Sequence, residues 1–330
     1  MSRVIVRESL SVVMPVFNEA AHLAGTIDAL AAALDDSGFD AELVLVDDGS
    51  TDGSAEAARA ATDGRMELQL LSQANRGRFE ARRAGLAAAQ GDYVLFLDSR
   101  VQLGAGALRF ARGQLGTAPV WNGHVDVVAD SPYGEFWRLL AELAWRDYFD
   151  EPRTTSFGIE EFDRFPKGTT CFLAPRILLE SAFAEFRSHY ANVRLANDDT
   201  PVLRAVAAQE RIHISPEFSC TYAPRTTLRG FFRHAVHRGT VFLDGHGTPE
   251  SRFFPFVAAF FPASFALAVA ALRRPALVPA ALASCGAAAA AYGVYAGRSE
   301  REVEVLATVT PVYALGHALG MWRGAGELLR

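Results

Sequence analysis

The chain has 330 residues, of which 50% are hydrophobic, 21% charged and 11% aromatic. This composition excludes a disordered or low-complexity chain, and the length allows one large domain or two of ordinary size. The net charge of −6 argues against nucleic-acid binding, and three widely spaced cysteines suggest neither a disulfide framework nor a zinc site.

The first third of the chain alternates short apolar runs with segments of helical spacing. The predicted strands are Leu10–Phe17, Ala41–Val46, Met66–Leu71 and Tyr93–Leu97, and the predicted helices are Ala20–Leu34, Ser54–Ala61 and Phe79–Ala89. Continuous apolar strands that alternate with helices are typical of a parallel sheet covered on both faces. In such sheets ligands bind beyond the carboxyl ends of the strands, so we expect the chemistry there.

The middle of the chain has a looser pattern. It predicts a helix over Tyr133–Phe149, a strand over Lys167–Ala174 and a helix over Asp198–Ala208. The following stretch, Thr227–Leu243, mixes aromatic residues with arginine and histidine. A basic amphipathic stretch just before an apolar segment commonly lies in a membrane interface, and we expect that here.

Two segments near the end of the chain, Phe253–Leu272 and Ala276–Gly297, carry no charged residue. Each matches the ~20 residues that a helix needs to span ~30 Å of hydrocarbon. Val305–Trp322 is a weaker third candidate, so two or three membrane spans are predicted. The alternative is a buried helical hairpin, because alanine-rich segments insert less strongly than leucine-rich ones.

Charges around these segments predict the orientation in the membrane. The flank over residues 225–252 is rich in arginine, which places the preceding head in the cytoplasm by the positive-inside rule. Residues 1–7 lack the apolar core of a secretory signal, which agrees with a cytoplasmic head. We therefore expect a multi-pass C-terminal tail in the cytoplasmic (inner) membrane.

Three predicted strands run out into carboxylates, namely Glu19, Asp47 with Asp48, and Asp98. Like charges repel, so these acids make a phosphate site only with a divalent cation between carboxylate and diphosphate. They can also accept hydrogen bonds from ribose hydroxyls or a base N–H. Since the chain has neither a P-loop nor a GxGxxG turn, we predict a nucleotide site that uses metal instead. Two alternatives remain for these acids. Paired acids at a strand end also occur in receiver domains, and residues 48–52 could instead cap the next helix.

The order and spacing of four motifs resemble the family-2 glycosyltransferases of the membrane-anchored bacterial or archaeal type. The motifs are VMPVFNE (Val13–Glu19), VDDGSTD (Val46–Asp52), NRGRFEARRAGL (Asn75–Leu86) and GDYVLFLD (Gly91–Asp98). The resemblance is strong over residues 10–103 and continues more thinly to about Gly239. It implies the GT-A fold, an α/β fold with a Rossmann-like, mostly parallel sheet flanked by helices, and inverting transfer of a sugar from a nucleotide diphosphate.

The resemblance also implies roles for individual residues. Asp47 is expected at the base of the nucleotide, and both Arg82 and Arg238 at the diphosphate. The full set implied to bind the nucleotide sugar is Pro15, Glu19, Asp47, Asp48, Arg82, Asp98 and Arg238.

Two acidic motifs carry the implied chemistry. Asp98 fills the first position of a metal-binding Asp-x-Asp pattern, which implies Mg²⁺ or Mn²⁺, but Arg100 stands where the second acid is common. Either Asp98 alone anchors the metal through water, or Arg100 supplies the positive charge. The pair Asp198-Asp199 resembles the motif that holds the general base, and Asp199 is preferred because it directly precedes Thr200. The alternative for this pair is an N-terminal helix cap.

These predictions together describe a membrane-anchored, inverting hexosyltransferase that uses a nucleotide sugar, with a UDP-sugar favoured. The expected acceptor is a hydroxyl on a lipid-linked or cell-surface glycan, because a hydroxyl needs a general base and Asp198-Asp199 would supply one. Polyprenyl phosphate is already anionic and needs no base. Polyprenyl phosphate is the alternative acceptor, and a degenerate nucleotide-sugar-binding membrane protein is the alternative without catalysis. The predicted regions are 1–128 for the nucleotide sugar, 129–224 for the acceptor, 225–252 for the interface and 253–330 for the membrane.

Overall fold

The computed structural model describes residues 8–197, 199–249 and 251–329. The strands are β1 (Ser9–Val16), β2 (Asp40–Asp47), β3 (Glu67–Ser72), β4 (Tyr93–Leu97), β5 (Val101–Leu103), β6 (Trp121–Val127), β7 (Thr155–Phe157), β8 (Cys171–Pro175) and β9 (Ile212–Tyr222). The helices are α1 (Ala20–Asp35), α2 (Ser54–Thr62), α3 (Arg78–Ala88), α4 (Ala107–Gln114), α5 (Pro132–Ala144), α6 (Arg146–Phe149), α7 (Arg176–Glu185), α8 (Asp199–Ala207), α9 (Leu228–His246), α10 (Phe254–Ala271), α11 (Leu277–Tyr295) and α12 (Glu300–Leu328).

The chain forms two compact units. The described part of the first unit is 8–126, 147–187 and 199–223, and it contains the sheet. The described part of the second unit is 127–146, 188–197, 224–249 and 251–329, and it contains α5, α9 and the three C-terminal helices. The four consecutive regions predicted from the sequence concern function and stay a prediction.

The first unit is built on a mixed sheet with the strand order β3-β2-β1-β4-β8-β6-β9-β5, and β7 pairs with β9. The pairs among β1, β2, β3 and β4 are parallel, as the alternation of strands and helices predicts. Beyond β4 the resolved pairs are antiparallel, beginning with β8 against β4. The prediction of a mostly parallel sheet therefore holds for the first four strands, and the α/β fold class is confirmed.

Local spacing explains how the helices cover the parallel strands. On α1 the buried residues Leu23, Ile27 and Leu30 recur at helical intervals and pack into the core with the strands. On the other face α3 approaches β1 and β2 so closely that a Cβ on Gly85 would lie 2.4 Å from Val13 Cγ1. Glycine at this position therefore sets the distance between helix and sheet.

Two predicted elements in the middle of the chain have different bounds in the structure. The helix predicted over Tyr133–Phe149 is two helices, because the backbone of Trp145 leaves the helical region at φ −128° and ψ 48°. The strand predicted over Lys167–Ala174 begins only at Cys171. The residues before it form a loop, in which Lys167 Nζ donates to the carbonyls of Phe162 and Phe165 and Gly168 N donates to Asn122 Oδ1.

The second unit holds three helices that are long and apolar enough to cross a membrane, within the described part of the chain. In α10 and α11 only 6% and 11% of the apolar window is buried, which argues against the buried hairpin. In α12 the share is 33%, because this helix also packs on α9 and α5. These exposed apolar faces need a hydrocarbon environment, so the helices fit membrane association.

Candidate active site

The predicted carboxylates gather at the carboxyl ends of the parallel strands. The register pairs Val16 with Asp47 and Asp47 with Ser72, so β1, β2 and β3 end at the same level. Pro15 is buried in β1 beside Val46, and Glu19 starts α1 just past the end of that strand. This edge is where ligands bind in open α/β sheets.

The loops after β1 and β2 hold each other in place. Asn18 has a positive φ of 55°, a conformation that asparagine tolerates better than most residues. Its Oδ1 accepts a hydrogen bond from Thr51 N at 2.8 Å, and its own N donates to Ser50 Oγ at 2.9 Å. Asp47 Oδ1 in turn accepts from Ser50 N at 2.9 Å. The buried Asp47 carboxylate is thus oriented by the backbone of the second loop.

Asp52 completes this connection from the start of α2. Its carboxylate accepts hydrogen bonds from the hydroxyl of Ser54 and from the backbone N of Ala20. Although burial alone would raise the pKa of Asp52, these hydrogen bonds lower it below its usual value. Asp52 is therefore a structural tie between the loops, whereas the residue that caps α2 is Gly53 and not one of residues 48–52.

Asp48 has a different set of partners from Asp47. Its carboxylate accepts hydrogen bonds from Gln73 Nε2 at 2.7 Å, Arg76 N at 2.7 Å and Gly77 N at 2.9 Å. Three donors to one carboxylate fix the loop that leads into α3. Asp48 shapes the wall of the site, and its contact with a nucleotide stays a prediction.

Glu19 forms an ion pair across the same edge. Its Oε2 lies 2.8 Å from Arg100 Nε, and both side chains are nearly buried, at 8% and 12% exposure. Arg100 Nη1 also donates to Ala223 O at 3.4 Å. Arg100 therefore neutralises Glu19 at this edge of the sheet, and its action in place of the second metal-binding acid stays a prediction.

A fully buried arginine lies between the predicted metal-binding acid Asp98 and the predicted general base Asp199. Arg82, with 0% exposure, donates from Nη2 to Asp98 Oδ1 at 2.7 Å, and its Nη1 lies 3.4 Å from Asp199 Oδ1. A buried guanidinium is stable only when it is paired, and the two carboxylates supply that pairing. The structure thus brings Arg82, Asp98 and Asp199 together in one cluster.

Two threonines that sequence reasoning missed belong to this cluster. The Thr169 hydroxyl donates to Asp199 Oδ1, and Thr170 Oγ1 donates to Asp98 Oδ2 at 3.3 Å. They reach the site because β8 pairs with β4, which places Asp98 N 2.9 Å from Thr170 O. The only local signal in the sequence is the polar turn Gly168–Thr170 before an apolar strand. This turn does not reveal which strand β8 pairs with.

The structure describes two of the three remaining predicted site residues, Asp199 and Arg238. Asp198 lies outside the described residues. Asp199 is the first residue of α8, so it stands at the helix N-terminus as both the base and the cap interpretations require. Arg238 belongs to α9 in the second unit, where its guanidinium lies 5.2 Å from the ring centre of Trp137.

A divalent cation would find one protein ligand in the Arg82 cluster. The described residues contain no group of three or more His, Cys, Asp or Glu arranged to hold a metal. Asp98 is 20% exposed, and its Oδ2 has only the long contact from Thr170. Mg²⁺ is commonly held by one or two carboxylates plus substrate phosphates, so a single carboxylate beside a diphosphate fits such an ion.

Comparison with known proteins identifies the domain that carries this site. The model for glycosyl transferase family 2 matches residues 11–108, which contain most of β1 and all of β2 to β5. The acidic and arginine residues of the site in this range are Glu19, Asp47, Asp48, Arg82, Asp98 and Arg100. An undecaprenyl-phosphate 4-deoxy-4-formamido-L-arabinose transferase from Aeromonas hydrophila is 41% identical over 95 residues. Residues 11–108 are a family-2 glycosyltransferase domain.

The sequence matches to relatives cover less than a third of this chain. The match to the Aeromonas protein covers 28% of this chain and 29% of that protein. A protein of Haemophilus influenzae described as an uncharacterized glycosyltransferase is 40% identical over 91 residues, 27% of this chain and 35% of that protein. The matches thus span only about a third of the length of these relatives.

Solved structures extend the likeness in fold beyond the glycosyltransferase domain. The mannosyltransferase PcManGT from Pyrobaculum calidifontis, in complex with GDP-Man and Mn²⁺, has a TM-score of 0.59 at 21% identity and covers 96% of this chain and 88% of that one. Residues 1–349 of S. aureus TarS in complex with UDP have a TM-score of 0.51 at 16% identity, with 96% and 89% covered. At these identities the likeness shows the GT-A fold alone.

Proposed function

We propose that this protein is a membrane-anchored glycosyltransferase that moves a sugar from a nucleotide diphosphate to a polyprenyl phosphate. The observation that carries the proposal is the buried Arg82, held between Asp98 and Asp199 at the strand ends of a family-2 glycosyltransferase domain. A UDP-sugar is the favoured donor, with its nucleoside at Asp47. The membrane helices would keep the cytoplasmic head at the inner membrane, where a lipid carrier presents its head group.

The choice of acceptor changes relative to the sequence-based expectation. The possible general base in Asp198-Asp199 favoured a hydroxyl acceptor. The curated relatives are named as undecaprenyl-phosphate sugar transferases, which supports the phosphate acceptor instead. In the structure Asp199 Oδ1 is engaged by Arg82 and Thr169, so a role in holding Arg82 explains this residue without proton transfer.

In the proposed reaction an anionic phosphate oxygen of the acceptor attacks the anomeric carbon of the sugar. The new carbon–oxygen bond forms as the bond to the nucleotide diphosphate breaks on the opposite face, so the configuration inverts. No proton has to leave the acceptor. Arg82 is fully buried between Asp98 and Asp199, so its positive charge would act on the leaving diphosphate through its electric field and not by direct contact. Stabilisation of the charge that develops in the transition state is usually the largest catalytic contribution.

A divalent cation fits this site through Asp98. When bound, it would neutralise negative charge on the diphosphate. Asp98 also orients Arg82, so this carboxylate has a role with or without a bound cation.

A hydroxyl acceptor is the second candidate, and one observation favours it. The Asp199 side chain is 36% exposed, so an acceptor hydroxyl can reach the carboxylate at the start of α8. In that reaction Asp199 would take the hydroxyl proton as general base, a step worth ~10²–10⁴-fold in rate.

The substitution Asp199→Asn distinguishes the two acceptors. With polyprenyl phosphate as acceptor, we expect the transfer rate to fall less than about tenfold, because no general base is lost. With a hydroxyl acceptor the rate should fall by ~10²–10⁴-fold. Transfer is measured with labelled nucleotide sugars, by mass spectrometry of the lipid product, and nucleotide binding is measured in parallel by calorimetry.

Two control variants frame this experiment. Asp47→Ala should abolish nucleotide binding and transfer to either acceptor, because it removes the buried carboxylate oriented by Ser50. Asp63→Asn, an exposed change at the end of α2, should leave both unchanged. If the protein transfers no sugar to either acceptor, the proposal is replaced by the alternative of a degenerate membrane protein that binds a nucleotide sugar without catalysis.

A further inference from the structure

A groove of about 610 Å³ lies among helices α9, α11 and α12, within the second unit. Its apolar lining is Leu228 and Phe232 from α9, Leu282 from α11, and Pro311, Val312 and Leu315 from α12. Arg229 is the one charged residue among the described residues that line it, and its side chain is exposed. Arg233 lies one turn further along α9 and is also exposed.

The groove is built into the packing of α11 on α12. Pro311 has no N–H, so it leaves the carbonyl of Ala307 without its usual helical donor. Gly286 of α11 packs onto that carbonyl, since a Cβ there would lie 2.3 Å from Ala307 O and 3.0 Å from Pro311 Cγ. The helices are in contact at Gly286, and the groove opens one turn earlier on α11, at Leu282.

The lining defines the chemistry of the occupant. Hydrocarbon fills an apolar groove favourably, whereas a polar ligand would lose its hydration there without gaining hydrogen bonds. An exposed guanidinium next to the groove complements an anionic group, above all a phosphate. The two features together select an amphiphile that has a hydrocarbon chain and a phosphate head.

We infer that this groove binds the isoprenoid chain of a polyprenyl phosphate, with its phosphate at Arg229. The inference rests on the proposed function and adds an acceptor-binding site in the second unit, outside the glycosyltransferase domain. The groove holds the chain next to the membrane-facing helices, and α9 supplies both the apolar wall and the cation.

The test measures binding to the full chain in detergent by calorimetry, with farnesyl phosphate as the probe. Leu315→Trp fills the groove and should weaken binding about tenfold or more. Leu319→Trp is the matched control, because Leu319 lies one turn along the same helix, is 51% exposed and lies outside the lining. It should change binding by less than about twofold. Leu282→Phe fills the same groove from its α11 wall and should also weaken binding of farnesyl phosphate.

A second pair of variants tests the phosphate contact. Arg229→Gln should weaken binding of farnesyl phosphate about tenfold and leave binding of neutral farnesol unchanged, because only the charged contact is lost. Arg274→Gln, beyond the end of α10, should change neither. Equal effects of Leu315→Trp and Leu319→Trp would overturn the inference, as would equally tight binding of straight-chain dodecyl phosphate.

The two proposals can fail separately. UDP binding, measured on the same samples, should be unchanged in every groove variant and shows that the protein is folded. If groove variants lose farnesyl phosphate while no sugar reaches polyprenyl phosphate, the groove stands and the proposed function fails. If transfer to polyprenyl phosphate occurs and groove variants bind farnesyl phosphate normally, the groove inference alone is overturned.

Discussion

At the scale of single residues, Arg82 explains why acids from distant parts of the chain can share one site. Asp98 and Asp199 would repel each other if they were brought together alone. The guanidinium between them supplies two hydrogen-bonding directions from one rigid, planar group. Lysine, a point charge on a flexible stem, could not bridge both carboxylates in the same way.

Replacing Arg82 should therefore be costly even without substrate. Arg82→Ala should lower the free energy of unfolding by about 3–5 kcal/mol, because it leaves two carboxylates close together without their cation. Arg82→Lys should recover part of this loss and little of the nucleotide affinity. Denaturant unfolding and nucleotide calorimetry measure the two effects.

The neighbouring arginine provides the control for this prediction. Arg83 is 56% exposed and pairs with the nearly buried Glu80, which keeps a second cation in Arg76 at 3.4 Å. Arg83→Ala should change the free energy of unfolding by no more than about 1 kcal/mol. If Arg82→Ala cost equally little, the cluster would not depend on the buried charge.

At the scale of elements, a glycine repeat decides how α12 packs on α9. Gly316, Gly320 and Gly324 recur every four residues along one face of α12. They meet α9 at successive positions from Ala235 to Thr240, so the two helices run in the same direction. The helix α9 is rich in arginine and histidine. Because α12 packs closely on it, a larger share of α12 is buried than of α10 and α11.

Adding one methyl group at the centre of this contact should disrupt it. A Cβ on Gly320 would lie 2.1 Å from Val236 O and 2.7 Å from Thr240 N, which are backbone atoms that cannot rotate away. Gly320→Ala should destabilise the second unit by about 1–3 kcal/mol, seen as a lower Tm in detergent.

Gly326 on the same helix is the matched control for this substitution. A Cβ there meets nothing within 4 Å. Gly326→Ala should leave Tm unchanged or raise it, since alanine is the better helix former by about 1 kcal/mol. Equal effects of the two substitutions would mean that helix propensity, and not close packing, determines the outcome.

At the scale of the whole molecule, the C-terminal helices complete the core of the second unit as well as exposing apolar faces that fit membrane association. Phe136 of α5 and Phe231 of α9 pack in one buried cluster with Val305, Leu306 and Val309 of α12. Arg138 of α5 adds an ion pair with Glu302 at 2.6 Å. The membrane tail is thus part of a folded unit that also includes segments from the middle of the chain.

A chain cut after residue 252 should therefore not behave as a simple soluble head. The cut removes α12 and exposes the aromatic faces of α5 and α9, so we expect aggregation or capture by detergent. Size-exclusion chromatography with and without detergent measures this. A monodisperse, detergent-free fragment that binds UDP normally would show that the second unit does not need its C-terminal helices.

Local patterns in the sequence determined the parallel half of the sheet and the location of its acids. Tyr93–Leu97 has the predicted bounds, and Asp47 and Asp98 lie at strand ends, because apolar runs and the turns after them are local properties. The motif resemblance identified the family from the same segment. The bounds of α10 and α11 were also predictable to within two residues at each end, because a charge-free run is visible in the sequence.

Only the tertiary structure decided which distant residues share the site. Arg82 and Asp199 are 117 positions apart, and Thr169 and Thr170 reach Asp98 only because β8 pairs with β4. No local periodicity records an antiparallel pairing between strands that lie so far apart along the chain. The same holds for the glycine face of α12, whose partner on α9 is defined by close packing. Local residue preferences determine the elements, and long-range contacts determine which of their side chains meet.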